Sequence, residues 1–433
     1  MKVAVFGLGK LGSVIATLHA SAGNRVVGVD LNKRIIDSIQ SSEAPFFEPG
    51  LQEILRTAKP NLEATFIAET ALLDADASIV IVPTPSGTDG SFTNTYVIEA
   101  VAEIGAAVRK SSIRHTVIIA STVMPGSCMG EIKSTLELAS GKKVGQDIGL
   151  VYNPQFIALG SIVSNMRKPD LILIGESDEL SGKLALELAL AIAENEPAVS
   201  RIGLTSAELA KIAINTFVTT KISFANMLGE FCSALGDADV DDVTSAVGSD
   251  SRIGKKYLQG AMGYGGPCFP RDNVALASAA NRLGVDASIA IATDNINDRQ
   301  VIRLSKLVSK LAPMGGSVAI LGLAYKPKTP VCDQSQSIEI ANLLLKEGFI
   351  VRAYDELVGM NDAINLDPGV ELCDRPDEGL YASDLALFTH PSSTFKGLDL
   401  ARFKCSTVID VWGSLNEADF NGAINLVRPG RDK

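Results

Sequence analysis

The stretch Val3-Ala4-Val5-Phe6-Gly7-Leu8-Gly9-Lys10-Leu11-Gly12 decides how the chain begins to fold. Four apolar residues make a short strand, and the three glycines after it are spaced GxGxxG. Ser13 to Ala22 reads as a helix closed by Gly23. Arg25-Val26-Val27-Gly28-Val29-Asp30 is the next strand, ending in an acid eighteen residues beyond Gly12. That is the spacing of a βαβ dinucleotide unit. Gly7 allows the tight turn, Gly9 lets the backbone approach a pyrophosphate, and Gly12 lets helix and strand pack closely. The helix N-terminus then turns its positive dipole to the phosphates. Lys10 and Leu11 join the glycines as cofactor-binding candidates. Asp30 suits ribose hydroxyls and repels a 2′-phosphate, which favours NAD, while Lys33 and Arg34 keep NADP open.

The alternation continues outward. Ala77 to Val82 and Thr116 to Ala120 read as strands, ending in Pro83-Thr84-Pro85 and Ser121-Thr122-Val123, and Ile148 to Tyr152 ends in Asn153-Pro154. Residues at the carboxyl ends of parallel strands line a ligand crevice, so Thr84 and Thr122 are site candidates. A second α/β pattern starts at Ser317 to Ala324. A helix from Ser337 to Glu347, the strand Ile350 to Asp355, and strands at Leu385 to Thr389 and Thr407 to Val411 follow. It has no GxGxxG, so it binds a different nucleotide or only packs. At its first strand end stands Tyr325-Lys326-Pro327-Lys328-Thr329, where two lysines suit a diphosphate or simply make a basic turn.

Between the halves, Thr205-Ser206-Ala207-Glu208 reads as a capping box. From there a helical pattern runs to Leu228 and on to Gly236, roughly 45 Å of helix. Its many apolar residues call for burial by several neighbours, a dimer partner included. Lys211 and Asn215 are four apart and share one face, where an amine and an amide suit a developing oxyanion. Asp237 to Asp242 reads as a polar linker. The fold class expected is α/β, with two Rossmann-like domains joined by a central helical domain with one long helix. The expected boundaries are 1–203, 204–300 and 301–433.

Composition narrows the function. The chain has 433 residues, 46% hydrophobic, with a formal net charge of -11. Such acidity argues against nucleic acid and anionic membranes as partners. No apolar run reaches the roughly 18 residues of a spanning helix, and the start reads as a strand, not a secretory signal. A cytoplasmic location is expected. The six cysteines are scattered with no CxxC pair, and three histidines are too few for a metal cluster. Reduced thiols fit better than disulfides or zinc, and no metal is expected.

One cysteine stands apart. Gly263-Tyr264-Gly265-Gly266-Pro267-Cys268-Phe269-Pro270-Arg271-Asp272-Asn273 brings a thiol out of a glycine loop to a helix start. Pro270 suits the first turn of a helix running through Ala280. The dipole there lowers a thiol pKa. A thiol and a hydride acceptor on one chain point to oxidation through a sulfur adduct.

With these residues in view, the whole chain resembles the UDP-glucose/GDP-mannose dehydrogenases, NAD-dependent oxidases of nucleotide-sugar primary alcohols. Gly7 to Gly12, Phe47-Glu48-Pro49-Gly50, Pro83-Thr84-Pro85, Ser121-Thr122-Val123, Asn153-Pro154, Glu208-Leu209-Ala210-Lys211 with Asn215, Arg252-Ile253-Gly254, Gly263 to Asp272 and Tyr325-Lys326 carry the resemblance in order. It implies three domains, with NAD on the first and the nucleotide end of the sugar on the last, and a homodimer or higher homo-oligomer built on the long helix. It further implies a four-electron oxidation, UDP-glucose being the first choice, through a thiohemiacetal and then a thioester on Cys268. Lys211 and Asn215 would steady the oxyanion, Asp272 would order water, and Thr122 would lie near the nicotinamide. Cys268 and Arg271 would also meet the cofactor. Phe156, Arg252, Tyr257, Tyr264, Gly265, Tyr325 and Lys326 would contact substrate, with Gln155, Lys211 and Asn215.

Two departures follow from the same resemblance. After Asn153-Pro154 the family carries a glutamate, often two. Here Gln155 and Leu159 stand at those positions, and an amide cannot take a proton at neutral pH. Oxidation stalled at aldehyde or thioester is therefore one alternative, and a non-catalytic nucleotide-sugar-binding subunit is another. The arginine usual after Lys-Pro-x-Thr is also missing from Thr329-Pro330-Val331-Cys332-Asp333-Gln334-Ser335.

Overall fold

The computed structural model describes all residues except 377, 379, 380, 382, 392, 394, 396, 397, 404, 423, 432 and 433. The chain divides into two compact units, Met1–Ala213 and Ile214–Lys433.

In the first unit the strands are β1 (Lys2–Phe6), β2 (Arg25–Val29), β3 (Leu62–Thr65), β4 (Ala77–Val80), β5 (Thr116–Ile119), β6 (Gly149–Tyr152), β7 (Leu171–Glu176) and β8 (Ala198–Gly203). They form one sheet in the order β3-β2-β1-β4-β5-β6-β7-β8. Neighbours are parallel except β6 and β7. The second unit holds β9 (Ser317–Leu321), β10 (Ile350–Tyr354), β11 (Glu371–Leu372), β12 (Leu385–Phe388), β13 (Thr407–Asp410) and β14 (Asn425–Val427). Their order is β11-β10-β9-β12-β13-β14, parallel throughout. Both sheets thus contain the doubly wound order expected for dinucleotide folds.

Side-chain alternation explains why β1 and β9 sit mid-sheet. Val3 and Val5 enter one core cluster while Ala4 and Phe6 enter the cluster on the other face. Val318 and Ile320 against Ala319 and Leu321 repeat the pattern. A strand buried on both faces must be apolar at every position, which is what the two runs are.

The long helix spans Leu204–Leu235, 32 residues, or roughly 48 Å. The boundary between the compact units falls within it, between Ala213 and Ile214. It begins one residue before Thr205, so the capping-box reading fails. Glu208 turns to backbone outside the helix, at Gly126 and Cys128. The polar linker is also shorter than expected. Asp239 accepts the N–H groups of Asp241 and Asp242, and a helix starts at Val240. Phe217, Phe224 and Phe231, seven apart on the long helix, are 66%, 43% and 59% exposed. No helix among the described residues is long and apolar enough to cross a membrane.

Candidate active site

The glycine turn is built as its spacing predicts. Gly7 has φ +90°, and a Cβ on Gly12 would stand 1.8 Å from the Gly7 carbonyl oxygen. Nothing lies within 4 Å of a Cβ on Gly9, which leaves the open face a pyrophosphate needs. The helix after it starts at Lys10, three residues before the expected Ser13, with no side-chain cap. Its first-turn N–H groups are thus available to an anion. Leu11 packs against the core. The Asp30 carboxylate accepts the Leu8 N–H at 2.6 Å and the Asn32 N–H at 2.8 Å, so it latches the turn. These residues fit NAD.

Beyond the turn, the carboxyl ends of β4 and β5 are tied together. Thr84 Oγ1 donates to the Thr122 carbonyl at 2.8 Å, and Ser121 Oγ accepts the Val82 N–H at 2.9 Å. The loop after Thr122 is held from the long helix. The two Glu208 oxygens accept the N–H groups of Gly126 at 2.6 Å and Cys128 at 2.7 Å. Burial pushes the Glu208 carboxyl above its ordinary value. One turn further, the buried Lys211 ammonium lies 4.7 Å above the Phe156 ring.

Gln155, next to Phe156, donates through Nε2 to Asn153 O at 3.1 Å and Asn153 Oδ1 at 3.2 Å. Leu159 packs against the core. The segment is closed by Glu48, whose carboxylate accepts the N–H groups of Gly160 at 3.0 Å and Ile162 at 2.7 Å. Sequence alone assigns Glu48 no role and makes Glu208 part of a helix cap, which the Gly126 and Cys128 contacts replace. Both belong to short motifs, but their backbone partners are up to 114 residues away, which spacing cannot reveal.

In the second unit Cys268 is the N-cap of the helix Phe269–Leu283, with Pro270 in its first turn. Cys268 is exposed and the other five cysteines are buried. The buried Asp272 accepts from Asn215 Nδ2 at 2.5 Å, and its N–H donates to the Cys268 carbonyl at 2.9 Å. Arg271 lies half-buried on the same turn. Behind the loop is a cavity of about 260 Å³, bordered by Tyr257, Tyr264, Gly265, Tyr325 and Lys326. His390 and Trp412, which the sequence reading did not single out, border it too. The Tyr264 hydroxyl donates to Asp294 and accepts from Asn273 at 2.9 Å. Burial and Asp294 push that phenol above its ordinary range, so it stays protonated. Arg252 lies outside the cavity border, paired with Asp250 at 2.6 Å.

Comparison with known proteins places this geometry. Three family models match: the NAD binding, central and UDP binding domains of the UDP-glucose/GDP-mannose dehydrogenase family, over residues 1–191, 205–299 and 319–417. UDP-glucose 6-dehydrogenase AglM of Haloferax volcanii is 34% identical over 403 residues, 92% of this chain and 93% of its own. A GDP-mannose 6-dehydrogenase of Azotobacter vinelandii is 33% identical over 362 residues, 83% of this chain and 82% of its own. The solved structure of a UDP-glucose dehydrogenase from Pyrobaculum islandicum superposes with a TM-score of 0.89 at 31% identity, over 99% of this chain and 97% of that one. The fold and its glycine turn define an NAD-dependent oxidoreductase. More narrowly, the chain belongs to the UDP-glucose/GDP-mannose dehydrogenase family.

Proposed function

We propose that the protein oxidises the C6 alcohol of UDP-glucose to the uronic acid through a covalent adduct on Cys268. The observation that carries this reading is the single exposed thiol at a helix N-terminus, one turn from an Asp272–Asn215 pair. The cavity bordered by Tyr264, Gly265 and Lys326 suits the nucleotide end of the substrate, with the Lys326 ammonium for the diphosphate.

Gly7, Gly9, Lys10, Leu11, Gly12, Asp30, Thr84 and Thr122 would hold NAD, with Cys268 and Arg271 nearer its reacting end. NAD, when bound, takes up one hydride from C6 in each of two oxidations. Engagement of Lys33 by Asp37 at 2.7 Å supports NAD over NADP. The Cys268 thiolate adds to the C6 aldehyde, forming a C–S bond and leaving charge on O6. Lys211 and Asn215, one turn apart on the long helix, donate to that oxygen. After the second oxidation, water adds to the thioester carbon and the C–S bond breaks, which returns the thiolate and releases the uronate. Asp272 is the carboxylate offered to that water. Gln155, Phe156, Tyr257, Tyr325 and Arg252 complete the substrate contacts, Arg252 after leaving Asp250.

The chain is further read as three domains, 1–203, 204–300 and 301–433, and as a homodimer whose second copy covers the phenylalanine stripe. Six cysteines that form no disulfide suit a reducing compartment such as the cytoplasm. Gln155 favours a second reading, turnover that stops at the thioester. Counting NADH per sugar decides between them. Two NADH per sugar with steady uronate release supports full oxidation, while one burst per site followed by arrest supports the stall. Multiple turnover that survives Cys268→Ser overturns both.

A further inference from the structure

The loop that delivers Cys268 has five glycine or proline residues between Gly260 and Pro267, and it forms no strand. Its own sequence therefore does little to order it. Order comes from side-chain amides on three helices. From the long helix, Asn226 accepts the Ala261 N–H at 2.9 Å and donates to the Met262 carbonyl at 3.2 Å. From the start of the helix Gln336–Lys346, Gln336 accepts the Gly263 N–H at 2.8 Å. From the helix Ser288–Leu311, Asn297 accepts the Tyr264 N–H at 2.8 Å and donates to the Tyr264 carbonyl at 3.0 Å. Gln336 also donates to the Asn297 carbonyl at 2.9 Å, which joins two of the three. All three amides are buried.

The grip tolerates no side chain. A Cβ on Gly263 would lie 2.3 Å from Asn297 Oδ1 and 2.4 Å from Gln336 Nε2. A Cβ on Gly265 would lie 2.2 Å from the Gln334 carbonyl, and the Gly266 N–H donates to the Asp333 carbonyl at 2.8 Å. Gln336 itself borders the cavity, beside Gly263, Tyr264 and Gly265. The residues that order the loop and the residues that would receive the nucleotide are thus partly the same.

We propose that Asn226, Asn297 and Gln336 are positioning residues, three amides standing in for an absent strand, through which a nucleoside diphosphate in the cavity sets the reactivity of Cys268. The inference rests on the nucleotide-sugar reading of that cavity. A ligand that orders an already gripped loop changes the exposure of a thiol at its end.

Iodoacetamide alkylation tests this, because Cys268 is exposed and the other five thiols are buried. The full-length protein is alkylated with and without UDP, with GDP in a parallel arm, and the site is read by mass spectrometry. Binding of each nucleotide is measured separately by calorimetry. In the unaltered protein the nucleotide that binds is expected to change the Cys268 rate by about threefold or more. In Asn297→Ala the nucleotide still binds, the response falls within about 1.5-fold of none, and kcat drops about tenfold with a smaller change in KM. Gln336→Glu, which keeps the oxygen that Gly263 uses, retains part of the response. If Asn297→Ala melts early, Gln336→Met carries the same test at nearly constant side-chain length. A full response in these variants overturns the inference. Binding without any response in the unaltered protein also overturns it, yet leaves the proposed function standing. If neither nucleotide binds, the functional reading itself has failed.

Discussion

Gln155→Glu places a carboxylate at the position where the resemblance leads to the expectation of a glutamate, and its effect follows from the contacts of Gln155. The Nε2 group donates to two acceptors, Asn153 O at 3.1 Å and Asn153 Oδ1 at 3.2 Å. A glutamate has no N–H, so both contacts become oxygen against oxygen. Two neutral hydrogen bonds at about 1 kcal/mol each put the loss near 2 kcal/mol. Part of that is relieved by protonating the new carboxyl, so its pKa rises toward the range of an effective base. General-base assistance is worth ~10²–10⁴-fold. Steady uronate formation should therefore rise by about 10²-fold or more if thioester hydrolysis limits the unaltered enzyme. The assay is stopped-flow NADH formation with acid-quench mass spectrometry. The unaltered protein should show a burst and carry a uronoyl mass on Cys268, and the variant should show neither. An unaltered protein with no burst and no adduct, together with an unchanged steady rate in the variant, would refute the reasoning.

Three further outcomes are expected. Gly12→Ala drives a Cβ to 1.8 Å from the Gly7 oxygen, so it should cost about 1–3 kcal/mol of stability and weaken NAD binding about tenfold or more. A calorimetric Kd within twofold of the original would count against the cradle. Burial lowers His19 and His115 to about 4. As pH falls below 6.5 the unfolded chain takes up these protons before the folded one, so stability drops between pH 6.5 and 4 by up to about 3 kcal/mol per histidine. Urea midpoints at pH 7.5 and 4.5 should therefore differ less in His19→Leu, and an identical difference would remove that histidine from the account. Phe224→Glu should turn the proposed dimer into a 45.5 kDa monomer by light scattering. An unchanged mass would move the interface elsewhere.

Much of the fold was legible because each half begins with a strand buried on both faces, which writes itself as an unbroken apolar run. The glycine turn was legible because its constraints are local, within six residues. Tyr264, Gly265, Tyr325 and Lys326 stand in motifs, Tyr257 was named by the resemblance alone, and all five border one cavity. What escaped was the support. Glu208 looked like a helix cap, since sequence shows an acid three residues after a threonine but not the Gly126 and Cys128 N–H groups it reaches. Asn226, Asn297 and Gln336 lie in ordinary helical patterns, and their meaning comes from a backbone 33 to 73 residues away. The antiparallel β7 also left no trace, because direction is set by connections and not by strand composition.

The latch at Asp30 has a counterpart. Asp355, at the end of β10, accepts the N–H groups of Leu323 at 2.7 Å and Ala324 at 3.0 Å, as Asp30 accepts that of Leu8. Val3 to Leu8 and Val318 to Leu323 are two editions of one sequence, VAVFGL and VAILGL. The second lacks the later glycines yet keeps its acid. The acid is thus part of how the turn closes, whether or not a dinucleotide follows. For anyone engineering cofactor preference, Asp30 is then the wrong residue to exchange. Removing its charge to admit a 2′-phosphate would unfasten the loop meant to receive it. The safer route is to leave Asp30 in place and free Lys33 by replacing Asp37.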